Sequence, residues 1–294
     1  MSVSVAEHDV VVDDRTVRVR TAGDPEGFPV VYFHGTPGSR LDLAFGDDLV
    51  AAAGVRLISF DRPGYGGSSP GPFGLLRVAD DALRIADQLG VAQFAPLGLS
   101  GGGPFALATG LVAGARVARI GVASGAGPFQ QVPGALAGLS EIDAKAVALL
   151  PDSPTEAAVI FASYFEPILE ALRQGDDAVR AEFEPALSAH DKKLFDDPRL
   201  GGSVIASMRE GLRHGAEGAA WDNVAWVGAW EIDPAAISTP VLLWYGDEDL
   251  MATPAHAHWL NDHLPDARLV MRTGVGHFGI LEHLPAMLAE LIAG

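Results

Sequence analysis

Four short apolar runs, "PVVYFHG" (29–35), "VRLISFD" (55–61), "FAPLGLS" (94–100) and "VARIGVASG" (117–125), are separated by about the length of a helix. That rhythm admits few architectures. Parallel strands need a crossover between them, and unbroken apolarity rather than alternation is expected of strands buried on both faces. A β-α-β succession with a mostly parallel sheet is therefore expected. Upstream, residues 8–12 and 17–21 read as a hairpin-like pair turned at Asp13-Asp14.

After Gly127 the pattern changes. Pro133, Pro151, Pro154, Pro167, Pro185 and Pro198 punctuate helical segments, and charge concentrates in "RQGDDAVRAEFEPALSAHDKKLFDDPR", with no strand alternation. Strand character returns in "ISTPVLLWYGDED" and "ARLVMRTGVGH", with a helix over 254–264 between them. A last helix is expected over 279–292, with Leu281, Leu284, Leu288 and Leu291 on one stripe. The organisation expected is a core of residues 1–130 and 220–294, interrupted by a helical insertion of residues 131–219.

Composition narrows the partners. A formal net charge of -18 argues against nucleic acid or an anionic membrane, which need clustered Lys and Arg. The chain has no cysteine, so thiol nucleophiles, disulfides and thiolate metal sites are ruled out. The first twenty residues alternate polar and apolar and lack a basic start before an apolar block, which suits a strand rather than a signal peptide. A cytoplasmic protein acting on a small molecule is expected, of open oligomeric state and with no cofactor or metal.

The chemistry concentrates at "GLSGG". Gly98-Leu99-Ser100-Gly101-Gly102 has G-x-S-x-G spacing where an apolar strand hands over to a helix that Pro104 can open. A serine projecting from such a turn needs neighbours without side chains, so that strand and helix can approach. A dinucleotide fingerprint would need glycine in place of Ser100 and an acid some 20 residues beyond, which "RIGVAS" lacks. A Walker lysine is missing too. A metal site from His256, His258 and His263 is disfavoured, because "HAH" sends its two rings to different sides of a helix.

These segments resemble the α/β-hydrolase family over about 1–130 and 220–294: a mostly parallel sheet flanked by helices, with a helical cap insertion at 131–219. The resemblance implies that Ser100 is the nucleophile and that the N–H groups of Gly101 and of Thr36, in "HGTPGS", form the oxyanion hole. An acid and a histidine then follow in chain order. Asp249 in "GDED", with Pro254 a few residues on, matches the acid, Asp247 and Glu248 being rivals. His277 in "GVGHFG" matches the base, with His256, His258 and His263 expected at the surface as spare candidates, placed on or beside a helix.

His34 is expected to brace its loop, and the Thr36 hydroxyl either to reach the oxyanion or to face solvent. The turn "DRPGYGGSS" is expected to be structural. Trp221, Trp226 and Trp230 are expected to seal the insertion to the core, and the insertion's acids to be solvated. The implied activity is hydrolysis of a small ester through an acyl-enzyme, with the insertion as a lid. Amide or carbon–carbon bond hydrolysis and a receptor role are the alternatives.

Overall fold

The computed structural model describes residues 3–293. Its strands are β1 (Ser4–Val12), β2 (Arg15–Gly23), β3 (Phe28–Phe33), β4 (Val55–Phe60), β5 (Ala95–Leu99), β6 (Ile120–Ala123), β7 (Val241–Gly246) and β8 (Ala267–Arg272). They form one sheet in the order β1-β2-β4-β3-β5-β6-β7-β8. Strand β2 is antiparallel to both its neighbours, β1 and β4, and the other adjacent pairs are parallel. Val12 pairs with Arg15, so the β1–β2 hairpin turns on Asp13 and Asp14 alone, both at positive φ, a conformation that Asp tolerates better than most residues.

The apolar runs are two-faced, as their continuity implied. Val31, Phe33, Ile58 and Phe60 enter one buried cluster, while the intervening Val30, Tyr32 and Leu57 enter the other. The helices flanking this sheet before the insertion are α1 (Asp47–Ala52), α2 (Leu75–Gln88) and α3 (Gly103–Ala113). Helix α2 buries Leu75, Val78, Ala79, Ala82, Ile85 and Ala86, the stripe of a helix lying on a sheet.

Sheet order positions the site. The chain moves outward from β3 to β4, then returns past β3 to β5. The crossovers diverge between β3 and β5, and a crevice opens at the carboxyl ends of strands at such a switch point. The loops after β3 and β5 carry Thr36 and Ser100.

Between β6 and β7 lie seven helices: α4 (Glu141–Val147), α5 (Pro154–Tyr164), α6 (Glu166–Gln174), α7 (Asp176–Phe183), α8 (Ala189–Asp196), α9 (Leu200–Gly211) and α10 (Glu217–Trp226). They divide by what they bury. Phe195, Ile205 and Met208 of α8 and α9 share a cluster with Tyr32, Leu57 and Leu97 of the sheet. Ala146, Phe161 and Ala220, from α4, α5 and α10, form a smaller one. Helix α10 crosses residue 220 and packs on α5, so the helical run extends to Trp226.

The remaining helices are α11 (Pro254–His263) and α12 (Leu284–Ile292). The helix expected from 279 begins later: residues 279–283 form a 3-10 turn and α12 opens at Leu284. Pro285 accounts for this, because it lacks an N–H and its ring crowds the preceding turn; proline is tolerated where a helix starts. The stripe survives, with Leu281, Leu284, Leu288 and Leu291 all buried.

Candidate active site

Ser100 sits on the turn from β5 into α3 with φ 52°, one of four non-glycine residues at positive φ among the described residues. The strain is enforced from below. A Cβ on Gly102 would lie 2.1 Å from the carbonyl oxygen of Phe33, so the turn closes against β3 only because that side chain is missing. Ser100 and Gly101 open the short 3-10 turn over Ser100–Gly102, where backbone N–H groups have no partner within the helix. Among the described residues nothing accepts the N–H of Thr36 either.

Past β7 the backbone turns so that Asp249 is buried while Asp247 and Glu248 are exposed. Asp249 Oδ1 accepts the N–H groups of Met251 and Ala252, both at 2.9 Å, and His277 Nδ1 lies 2.8 Å from Oδ2. Asp247 accepts the N–H of Gly274 instead. With Nδ1 facing Asp249, Nε2 is the ring nitrogen left for a hydroxyl, though among the described residues no hydrogen bond joins it to Ser100 Oγ. Burial works against charge on His277, but the Asp249 carboxylate, its hydrogen bond and Asp191 outweigh it and hold the imidazole above its ordinary value.

The histidine loop is fastened by the insertion, a contact absent from the sequence expectations. Asp191, on α8 and fully buried, accepts backbone N–H groups from His277 at 2.8 Å, Phe278 at 3.0 Å and Gly279 at 2.9 Å. A Cβ on Gly276 would lie 2.1 Å from Asp191 Oδ2, so the glycine before His277 makes room for that carboxylate. The N–H of Asp191 is itself capped by Ser188 Oγ.

The loop after β3 is held likewise. Thr36 Oγ1 donates to Asp222 Oδ2 at 2.7 Å, so its hydroxyl proton is directed neither to an oxyanion nor to solvent, and both expectations for that side chain fail. Asp222, on α10, also binds the Arg62 guanidinium through both oxygens and accepts the Tyr65 hydroxyl. Arg62 in turn donates to the carbonyl oxygens of His34 and Gly35. Burial opposes charge on Arg62, yet Asp222 more than compensates and keeps it protonated. Arg62 and Tyr65 are fully buried, as a structural turn requires. His34 donates from Nδ1 to the carbonyl oxygen of Gly35 and is pushed well below its ordinary value by burial and by Arg62, which fits a neutral brace. Asp42 accepts the N–H of Gly35 at 2.7 Å and the hydroxyl of Ser207 from α9.

A cavity of about 750 Å³ opens above these loops, lined by Ser100, Gly101 and Thr36 below and by Leu139, Phe165 and Ile168 of the insertion among others. Its walls correct three expectations. His256 is buried rather than on the surface: it lines the cavity, accepts the N–H of Gly127 at Nδ1, and is lowered by burial, so it is neutral with its proton on Nε2. Trp226 lines the cavity rather than only sealing the insertion, and its Nε1 is buried without a partner. Asp143, on α4, is an insertion acid that is not solvated; it lines the cavity with Oδ1 unpartnered and its carboxyl raised by burial. Among the described residues no group of His, Asp and Glu is arranged to hold a metal ion, and no helix is long and apolar enough to cross a membrane.

A serine turn past β5 at the switch point, with a paired acid and histidine past β7 and β8 on the same edge of a mostly parallel sheet, places the molecule in the class of α/β hydrolases. The chain belongs to the family described as alpha/beta hydrolase fold, whose model matches residues 29–284. Similar solved structures include a hydrolase from Pseudomonas aeruginosa, 20% identical with 98% of each chain covered and a TM-score of 0.71. An esterase from Exiguobacterium antarcticum is 20% identical over 96% of each chain, with a TM-score of 0.70. A proline iminopeptidase from Mycobacterium smegmatis is 20% identical over 97% of each chain, with a TM-score of 0.64. Likeness at that identity shows the fold. No curated protein matches the chain.

Proposed function

We propose that the protein hydrolyses a small carboxylic ester, with Ser100 as nucleophile, His277 as base and Asp249 as the acid that orients it. The observation that carries this reading is the buried His277–Asp249 pair at 2.8 Å, which turns one ring nitrogen away from the acid on the sheet edge that bears Ser100. Serine is a weak nucleophile until an imidazole takes its proton, and the carboxylate stabilises the imidazolium formed. The contact from Nε2 to Oγ closes when substrate arrives, since catalytic hydrogen bonds are often long without it.

Oγ attacks the acyl carbon as its proton passes to Nε2, and the carbonyl oxygen becomes an oxyanion facing the N–H groups of Thr36 and Gly101. Collapse expels the alkoxide, which leaves with the proton from His277. Water then gives a proton to Nε2 as its oxygen attacks the acyl carbon; collapse releases the acid, and Nε2 returns the proton to Oγ, restoring Ser100 and neutral His277. Each backbone donor is worth about 10²–10³ in rate by analogy with measured oxyanion holes. The insertion, residues 131–219 in this proposal, serves as the cap that walls the acyl pocket.

Amide hydrolysis is the second reading. Asp143, with an unpartnered oxygen on the cavity wall, is an insertion acid able to meet a substrate amine. Esters, aminoacyl amides, dienones and epoxides assayed side by side with wild type and Ser100→Ala separate the readings. Ester turnover lost in the variant is expected. Preference for aminoacyl amides would replace the ester reading with the second, and tight binding without product would favour a receptor.

A further inference from the structure

We infer that the indole N–H of Trp226 is a third hydrogen-bond donor to the carbonyl oxygen of an acyl group bound at Ser100, an inference that rests on the acyl-transfer reading above. Trp226 Nε1 is buried and has no partner among the described residues. Indole nitrogen only donates, and a buried N–H without an acceptor is costly, so a ligand oxygen is the group that completes it.

The place of that donor is fixed by its surroundings. A Cβ placed on Gly101 would lie 3.1 Å from Trp226 Nε1 and 2.3 Å from Thr36 Oγ1, so the indole nitrogen, Gly101 and Thr36 converge on one part of the cavity floor. Trp226 follows Asp222 by four residues on α10 and shares its face. Asp222 holds Thr36 and Arg62, so one helix face both fastens the loop after β3 and presents the indole beside it. The ring packs against Phe129 at 5.4 Å between centroids, and Trp230 Nε1 donates to the carbonyl oxygen of Trp226 at 2.9 Å. The hydroxyl of Thr36, the other side-chain donor at this point, gives its proton to Asp222.

A donor at that place acts mainly in the transition state. The carbonyl oxygen gains charge as the tetrahedral intermediate forms, so the hydrogen bond strengthens there and its loss lowers kcat more than it raises KM. Because the oxygen belongs to the reacting group, the loss is the same whatever the acyl chain.

Trp226→Phe keeps an aromatic ring against Phe129 and removes the N–H. Its kcat is expected to fall about 10–100-fold for short and long p-nitrophenyl esters alike, with KM within about threefold of wild type. An unchanged kcat, or a loss confined to KM or to one acyl chain, would overturn the inference and assign Trp226 to packing. A second measurement needs no variant to be active: the indole N–H proton of Trp226, assigned in ¹⁵N-labelled wild type as the resonance that Trp226→Phe lacks, is expected to move downfield when a phosphonate probe occupies Ser100. A resonance that stays in place overturns the donor role. Failure of the probe to label Ser100 at all would instead count against the acyl-transfer reading.

Discussion

Asp191 Oδ2 accepts the backbone N–H of His277 at 2.8 Å, so a carboxylate from the helical insertion holds the loop that presents the core's histidine. Three successive amides share this carboxylate, and hydrogen bonds to a charged group are each worth about 1.5–3 kcal/mol. Asp191→Ala leaves those donors buried without an acceptor. It is expected to lower the unfolding temperature, to cut kcat, and to speed hydrogen exchange at the amides of 277–279 more than in the β7 strand. Exchange at those amides as slow as in wild type would show that the loop holds itself.

In the proposed mechanism His277, as the base, is expected to set the acid limb of the pH profile. Burial opposes its charge, but Asp249 and Asp191 raise its pKa, and the base must be neutral to accept the proton of Ser100. The kcat/KM of ester hydrolysis is therefore expected to fall with acidity around a midpoint above the ordinary histidine value of about 6.5. Asp191→Asn removes one raising charge and is expected to move that midpoint down. The stability term has a matching sign: a raised pKa contributes fully below about 6.5 and is lost as pH rises through the folded value. A wild-type midpoint below the ordinary value, or no movement in Asp191→Asn, would contradict this electrostatic arrangement.

The Arg62–Asp222 pair is fully buried on both sides. Removing one partner strands a buried charge, which costs about 3–5 kcal/mol, whereas an apolar replacement of both avoids most of that penalty. Urea unfolding is expected to show Asp222→Leu strongly destabilised and Arg62→Met with Asp222→Leu partly restored. Additive losses in the double variant would mean that the two charges do not depend on one another.

Much of the molecule was legible locally. Strands β3 to β7 each lie in a mostly apolar run, β8 lies in the half-exposed "ARLVMR", and Ser100, Asp249 and His277 each stand just past a strand end, where a short motif and its strand are read together. What escaped was the polar stitching between the helices that precede β7 and the loops of the sheet. Asp191 and Asp222 lie in charged or mixed helices, and their partners are about 86–88 and 160 residues distant, a separation that no period encodes. Two local signals existed: Ser188 three residues before Asp191 is a helix cap, and Asp222 in "GAAWDNVAW" is a lone charge among apolar residues. The orphan N–H of Trp226 is a property of three-dimensional placement alone.

The role of Ser100 is tested most directly by an active-site-directed fluorophosphonate. Intact-mass measurement is expected to show one probe per chain, peptide mapping to place it on Ser100, and Ser100→Ala or His277→Ala to abolish it. A full complement of label surviving in Ser100→Ala, or mapped to any other residue, would contradict the proposed nucleophile.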